Sequence, residues 1–177
     1  MGPMNPRIAL LLLCASLFPA AQALAKSKAI LPDGCGSDAV EFDVKQEKNN
    51  PAFAGPAEGK AMIVFVETMP SESKLGTTTR FGLDGDWAGA TKGDSYFSVE
   101  VAPGEHNLCA SMQSAPKNRK KEFTRAASFT AEAGKVYYFE SKFSIIPTPS
   151  VELTQLSEAE GKYRLKAWKY ATSKPKK

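Results

Sequence analysis

The chain has 177 residues, with 23 Lys and Arg against 19 Asp and Glu, one His and a formal net charge of +4. So mild a balance does not identify a nucleic-acid binder, and 24% charged with 42% hydrophobic residues excludes a disordered, collagenous or membrane-spanning composition. A single histidine removes most multi-histidine metal sites.

Residues 1–7 carry one positive charge, Arg7, and no acid, and Ile8 to Phe18 is an apolar run of eleven residues. Ala23-Leu24-Ala25 then offers the small-x-small pattern that a signal peptidase reads. The order predicts a secretory signal peptide over 1–25, cut between Ala25 and Lys26. The run is shorter than the roughly 20 residues needed to cross a bilayer, and nothing later is long enough for a transmembrane segment. A lipoprotein reading would centre on Cys14, but the residue before it is Leu13 where a small one is wanted. The expected location is therefore exported, periplasmic or secreted, with envelope association. About 152 residues remain, the length of one domain.

Export changes what the cysteines mean. Cys14 leaves with the signal, so Cys35 and Cys109 remain, and two cysteines in an oxidising compartment most often form a disulfide. Two alternatives stay open. His106 and Cys109 have an H-x-x-C spacing that, with Cys35, would give three zinc ligands and an open position; or both thiols stay free.

Along the chain, 26–58 reads as an N-terminal arm with one edge strand at Val40-Glu41-Phe42-Asp43-Val44. The residues 59–170 read as the sandwich domain. Ala61 to Val66 is a continuous apolar run, which suits a central strand buried on both faces. Thr78 to Leu83 alternates, with Arg80 and Gly82 outward and Phe81 and Leu83 inward. A turn at Asp84-Gly85-Asp86, a short strand around Trp87 and a turn at Thr91 to Asp94 follow. Tyr96 to Val101 places Phe97, Val99 and Val101 on one face. Pro103-Gly104 is a tight-turn signature before a strand from His106 to Met112. Ala127 to Ala131 and Val136 to Ser144 read as a hairpin, and Val151 to Leu156 as a last strand. Ser157 and Glu160 form a capping box ahead of a helix through Tyr163, Ala167 and Tyr170. The residues 171–177 read as a disordered basic tail. The expected class is mostly β: an antiparallel sandwich of seven to eight strands with a short C-terminal helix.

The strings GDSYFSVEVAPGEHNLCAS, FTAEAGKVYYFESKF and VELTQLSEAEGKYRL resemble an uncharacterised family of bacterial envelope domains of unknown function. The likeness spans about Gly59 to Leu165. Asp33-Gly34-Cys35-Gly36, followed by the Val40 to Val44 alternation, is similar to a subgroup with the same cysteine pair. The resemblance implies a prealbumin-like (transthyretin-like) sandwich. It implies no activity.

Asp84-Gly85-Asp86-Trp87-Ala88-Gly89 begins like a calcium loop, but Ala88 and Ser95 stand where oxygen ligands are needed, so it reads as a turn. No G-x-S-x-G elbow and no phosphate-cradling glycine loop occur. His106 shares the face of Leu108 and Ala110 and reads as a rim residue of the core. Lys117, Arg119, Lys120 and Lys121 form a basic loop, a candidate surface for anionic lipid or glycan. Tyr96, Tyr138 and Trp87 are candidates for an outer aromatic face. The sequence thus predicts a non-enzymatic, envelope-associated binding or structural module without catalytic residues, cofactor or metal. Its partner would be an envelope protein, a glycan or an anionic lipid surface, and not nucleic acid. The alternatives are a periplasmic hydrolase using scattered carboxylates or His106, and a carbohydrate- or peptide-binding domain.

Overall fold

The computed structural model describes residues 31–69, 76–144 and 148–177. The signal segment, Cys14 and the Ala25/Lys26 cleavage point lie outside the described residues. The strands are β1 (Phe42–Gln46), β2 (Ala61–Thr68), β3 (Thr78–Leu83), β4 (Asp86–Lys92), β5 (Ser95–Val101), β6 (Gly104–Met112), β7 (Thr124–Ala131), β8 (Val136–Ser144) and β9 (Ser150–Leu156). Helix α1 (Glu158–Ala167) and strand β10 (Lys169–Pro175) follow. A six-stranded sheet, in the order β1-β10-β5-β2-β8-β9, faces a four-stranded sheet in the order β4-β3-β6-β7. The molecule is mostly β, a two-sheet sandwich with one C-terminal helix, as the strand pattern predicts. Ten strands lie among the described residues, where seven or eight were expected. The larger sheet is mixed, because β2 runs parallel to β8 and β10 runs parallel to β5.

The apolar run of β2 explains its central place. Ala61, Ile63 and Phe65 point into the gap between the sheets and pack with Phe81, Phe97, Leu108 and Phe139. The Phe65 ring lies 4.9 Å from Phe81 and 5.3 Å from Phe97. Met62, Val64 and Val66 point the other way and join Tyr96 and Tyr138 under Leu165, Trp168 and Tyr170. A strand covered on both faces loses the polar alternation of a half-exposed one. Each fully buried side chain of this size contributes roughly 1.5–3 kcal/mol.

The helix begins where its capping box predicts: Ser157 Oγ accepts from the Glu160 backbone N–H, and the Glu160 carboxylate accepts from the Ser157 N–H. Its glycine has a reason. A Cβ at Gly161 would fall inside the van der Waals radius of the Tyr138 ring, so only glycine lets the helix sit this close to β8.

The end of the chain corrects the sequence reading. The helix stops at Ala167, and Tyr170 belongs to β10, not to the helix. The residues 171–177, expected to be disordered, supply most of β10, which pairs antiparallel with β1 from Phe42↔Pro175 to Gln46↔Ala171. Lysines at 169, 174 and 176 mask the strand, whose partners are far away in the chain: Lys176 Nζ pairs with Glu41 at 2.9 Å, and Thr172 Oγ1 donates to Glu47 at 2.8 Å. Strand β1 itself starts at Phe42 rather than Val40. Strand β4 takes in Thr91 and Lys92, which moves the expected turn to Gly93 and Asp94.

Both sheets are covered outside as well as inside. Helix α1 lies on the larger sheet. The arm ahead of β1 lies on the smaller one, fixed by the disulfide Cys35–Cys109, with Cα atoms 5.1 Å apart. The arm approaches closely because Gly82 opposes Gly34, where a Cβ on Gly82 would collide with the Gly34 carbonyl.

Candidate functional site

Where the arm meets β4 and the β1–β10 ribbon, a groove of about 500 Å3 opens. Val40, Phe42, Trp87, Ala88 and Pro175 give it apolar walls, and Asp86 and Ser173 give it polar ones. Trp87 is held in place before any ligand arrives. Its Nε1 donates to the Ser37 carbonyl at 2.7 Å, and the Arg80 guanidinium lies 4.4 Å from its ring centroid. A concave, mainly apolar surface with a few fixed polar groups is the usual form of a ligand site. Of the three aromatics expected on an outer face, Trp87 borders this groove. Tyr96 and Tyr138 do lie on the outer side of the larger sheet, but they are 3% and 2% exposed beneath the C-terminal segment.

Beneath Trp87 is a buried charge cluster. Arg80 points outward from β3, as its alternation predicts, yet it is fully buried by the arm. Its Nη1 donates to the carbonyls of Val40 at 2.7 Å and Asp38 at 3.3 Å, and Nη2 donates to the Asp38 carboxylate at 3.0 Å. Lys120 Nζ reaches the same carboxylate at 3.2 Å. Burial pushes the Asp38 carboxyl up, but the hydrogen bonds and charges of Arg80 and Lys120 outweigh it and hold its pKa below the ordinary value. Two cations thus share one carboxylate.

Lys120 corrects the reading of the basic loop. A 3-10 turn at Lys117–Arg119 turns Lys120 inward, where it is 6% exposed and also donates to the Gln113 carbonyl. Arg119 pairs with Glu122, leaving Lys117 and Lys121 exposed. The four side chains therefore do not form one continuous charged surface.

His106 sits at the sandwich rim, its ring 5.8 Å from Phe129 and its side chain 11% exposed. It meets the acid that a hydrolase reading would want: His106 Nδ1 lies 2.7 Å from Asp84 Oδ2. Its Nε2, however, lies 2.8 Å from the Ala102 carbonyl. A carbonyl and an ionised carboxylate can only accept, so both ring nitrogens face acceptors, an arrangement that favours the doubly protonated ring. Burial pulls the imidazole pKa down, but the Ala102 carbonyl and the Asp84 carboxylate outweigh it and hold it above the ordinary value. On Asp84, burial is outweighed by the Asn107 N–H and by His106, and its pKa falls. The pair clamps one turn to the next. Asp84 takes φ +52°, and Gly85 follows at +94°, as a tight turn requires.

Glu67 was not foreseen as a site. It continues the inward row Ala61, Ile63, Phe65 of β2 and is 1% exposed between the sheets. Thr79 Oγ1 and Thr91 Oγ1, both from the facing sheet, each lie 2.7 Å from its carboxylate. Burial pushes its carboxyl up to about 7; the threonine hydrogen bonds work against this, and the Asp94 charge adds to it. Its only signal in the sequence is an acid at the inward position of an apolar strand.

The disulfide takes both sulfurs that the zinc alternative required. Among the described residues, no helix is long and apolar enough to cross a membrane. Comparison of the chain with known protein families, with curated proteins and with solved structures returns no match.

Proposed function

We propose that this chain is an exported, non-enzymatic envelope protein that binds an envelope component through the groove beside Trp87. We also propose that it belongs with the uncharacterised, prealbumin-like envelope domains that its sequence resembles. The observation that carries the binding reading is the fixed position of Trp87, set by Arg80 on its ring face and Ser37 on its Nε1. A side chain immobilised beforehand loses little conformational entropy on binding. Export is supported by the apolar run before Ala23-Leu24-Ala25 and by a disulfide, a bond that persists in oxidising compartments. The non-enzymatic reading draws on Asp84–His106, Arg80–Asp38–Lys120 and Glu67–Thr79–Thr91, whose ionisable groups hold turns, arm and sheets in place.

The test has two arms. Intact mass of protein recovered from periplasm or medium is expected to match a chain starting at Lys26; a soluble chain that keeps 1–25 overturns export. Binding is read by cosedimentation with isolated cell-wall sacculi and by capture from solubilised envelopes. The wild type is compared with Ala88→Arg, which fills the groove. Retention by the wild type and loss in the variant support the reading. Equal retention by both, or none by either, overturns it.

A further inference from the structure

The two sheets end in four edge strands, β1 and β9 in one, β4 and β7 in the other. An edge presents unpaired N–H and C=O groups on which another chain can pair, and proteins usually block it. Three of these edges carry such a block. On β1, the Gln113 side chain accepts from the Phe42 N–H at 2.7 Å and donates to its C=O at 3.1 Å, and Asp43 and Lys45 put charge on the rest. On β4, Ser173 Oγ accepts from the Ala90 N–H, and Gln46 Nε2 donates to the Lys92 carbonyl. Strand β9 carries the exposed Glu152, and its Val151 N–H donates to the Glu122 carbonyl.

Strand β7 is the exception. Among the described residues it pairs only with β6. The Met112 N–H donates to the Phe123 carbonyl, and antiparallel pairing alternates from there, so residues 125, 127, 129 and 131 turn their backbone toward β6. Asp84 N–H to Asn107 C=O and Gln113 N–H to Thr78 C=O fix the other side of β6 in the complementary phase. The N–H and C=O groups of Ala126, Ser128 and Thr130 therefore point off the sheet. Arg125 closes the strand's beginning by donating to the Thr124 carbonyl at 2.8 Å. From Ala126 to Thr130 there is no charge and no proline, and the exposed side chains are small. Two hollows of about 320 Å3 flank this strip, one against Pro32–Gly34 and one against Glu105–Asn107.

We infer that β7 is the homodimer edge of this protein, pairing antiparallel with β7 of a second copy about a two-fold axis at Ser128. In that register Ser128 faces Ser128, and Ala126 faces Thr130. All the outward N–H and C=O groups of the three residues are then used in one ladder. Inward, Ala127 meets the Phe129 of the second copy, small against large. Arg125 falls opposite Ala131, so no two like charges meet. A neutral, self-complementary strip fits a second copy of itself without requiring any particular partner chemistry, and the two smaller sheets become one continuous sheet.

The test is sedimentation equilibrium of the purified protein from micromolar to several hundred micromolar. The expected result is a concentration-dependent dimer. Ser128→Pro removes an N–H that β6 does not use, so melting by circular dichroism stays near wild type while self-association weakens about tenfold or more. Ser128→Lys and Ser128→Asp each place like charges face to face at the axis. Each alone is expected to dimerise more weakly, and a one-to-one mixture of the two to recover the dimer. Three outcomes overturn the inference: a single-chain mass at every concentration, dimers unaffected by these substitutions, or a mixture no tighter than either variant alone. A chain that stays monomeric yet captures a different protein through this edge also overturns the second copy as its occupant.

Discussion

Glu67 of β2 and Thr91 of β4 meet across the gap between the two sheets, with Thr91 Oγ1 2.7 Å from the Glu67 carboxylate. This contact joins the two layers one inward position beyond Phe65 on β2.

The first prediction concerns pH. The Glu67 carboxyl titrates near 7 in the fold, against an ordinary value of 4.5. Between those values the folded state holds more protons, so stability falls as pH rises through that window. The full difference is on the order of 3 kcal/mol. His106, held above its ordinary value, acts with the same sign on the alkaline side. Asp38 and Asp84, held below theirs, act oppositely and cost stability only in strong acid. Thermal melts should therefore give a higher Tm at pH 5 than at pH 8, and Glu67→Gln should flatten most of that slope. A slope that persists in the variant would remove Glu67 as its source.

A second prediction separates Lys120 from its neighbours. Replacing Lys117 or Lys121 with serine should change stability by no more than about 0.5 kcal/mol, because both are exposed. Asp38→Ala leaves Arg80 and Lys120 without their shared carboxylate and should cost about 3–5 kcal/mol, as breaking buried pairs does. Urea unfolding of the three variants measures both.

The third prediction runs against helix propensity. Alanine in place of glycine inside a helix usually gains about 1 kcal/mol. At Gly161 the added methyl meets the Tyr138 ring, and Gly161→Ala should lose about 1–3 kcal/mol through overpacking. A more stable variant in a thermal melt would show that the helix can lift away from β8.

The fourth concerns the disulfide. Cys35 and Cys109 are 74 residues apart, and the loop-entropy relation gives about 4–5 kcal/mol as an upper figure for the cross-link. Alkylating the unreduced protein before mass spectrometry should label neither cysteine. After reduction, proteolysis should cut the arm ahead of β1 before any core strand. First cleavage within the sandwich would show that the arm holds without its covalent tie.

The sandwich was legible because alternation reports which face a strand buries: Phe81 with Leu83, and Phe97 with Val99 and Val101, reveal it locally. The cysteine pair followed from the expectation of export, under which two cysteines most often pair. Partnerships between distant segments were not legible. Arg80 reads correctly as outward, but nothing beside it reveals that the arm returns to bury it. Lys120 looks like one more cation in a basic loop until Asp38 is brought to it from the arm. Strand β10 hides behind its lysines, because its reason to be extended is β1. Asp84 reads as a turn residue, and its bond to His106 depends on two turns meeting.

The β1–β10 ribbon sets an order of events in folding. Phe42 and Pro175 lie side by side, although nearly the whole described chain separates them. Loop closure over that distance has to wait until the intervening strands have collapsed, since long-range pairing is entropically costly. Until β10 arrives, β4 lacks the Ser173 hydroxyl on the Ala90 N–H and the Gln46 amide on the Lys92 carbonyl. The topology thus predicts a stage of folding in which β4 is as open as β7. The chain's period of greatest exposure to unwanted strand pairing lasts until the final ribbon closes.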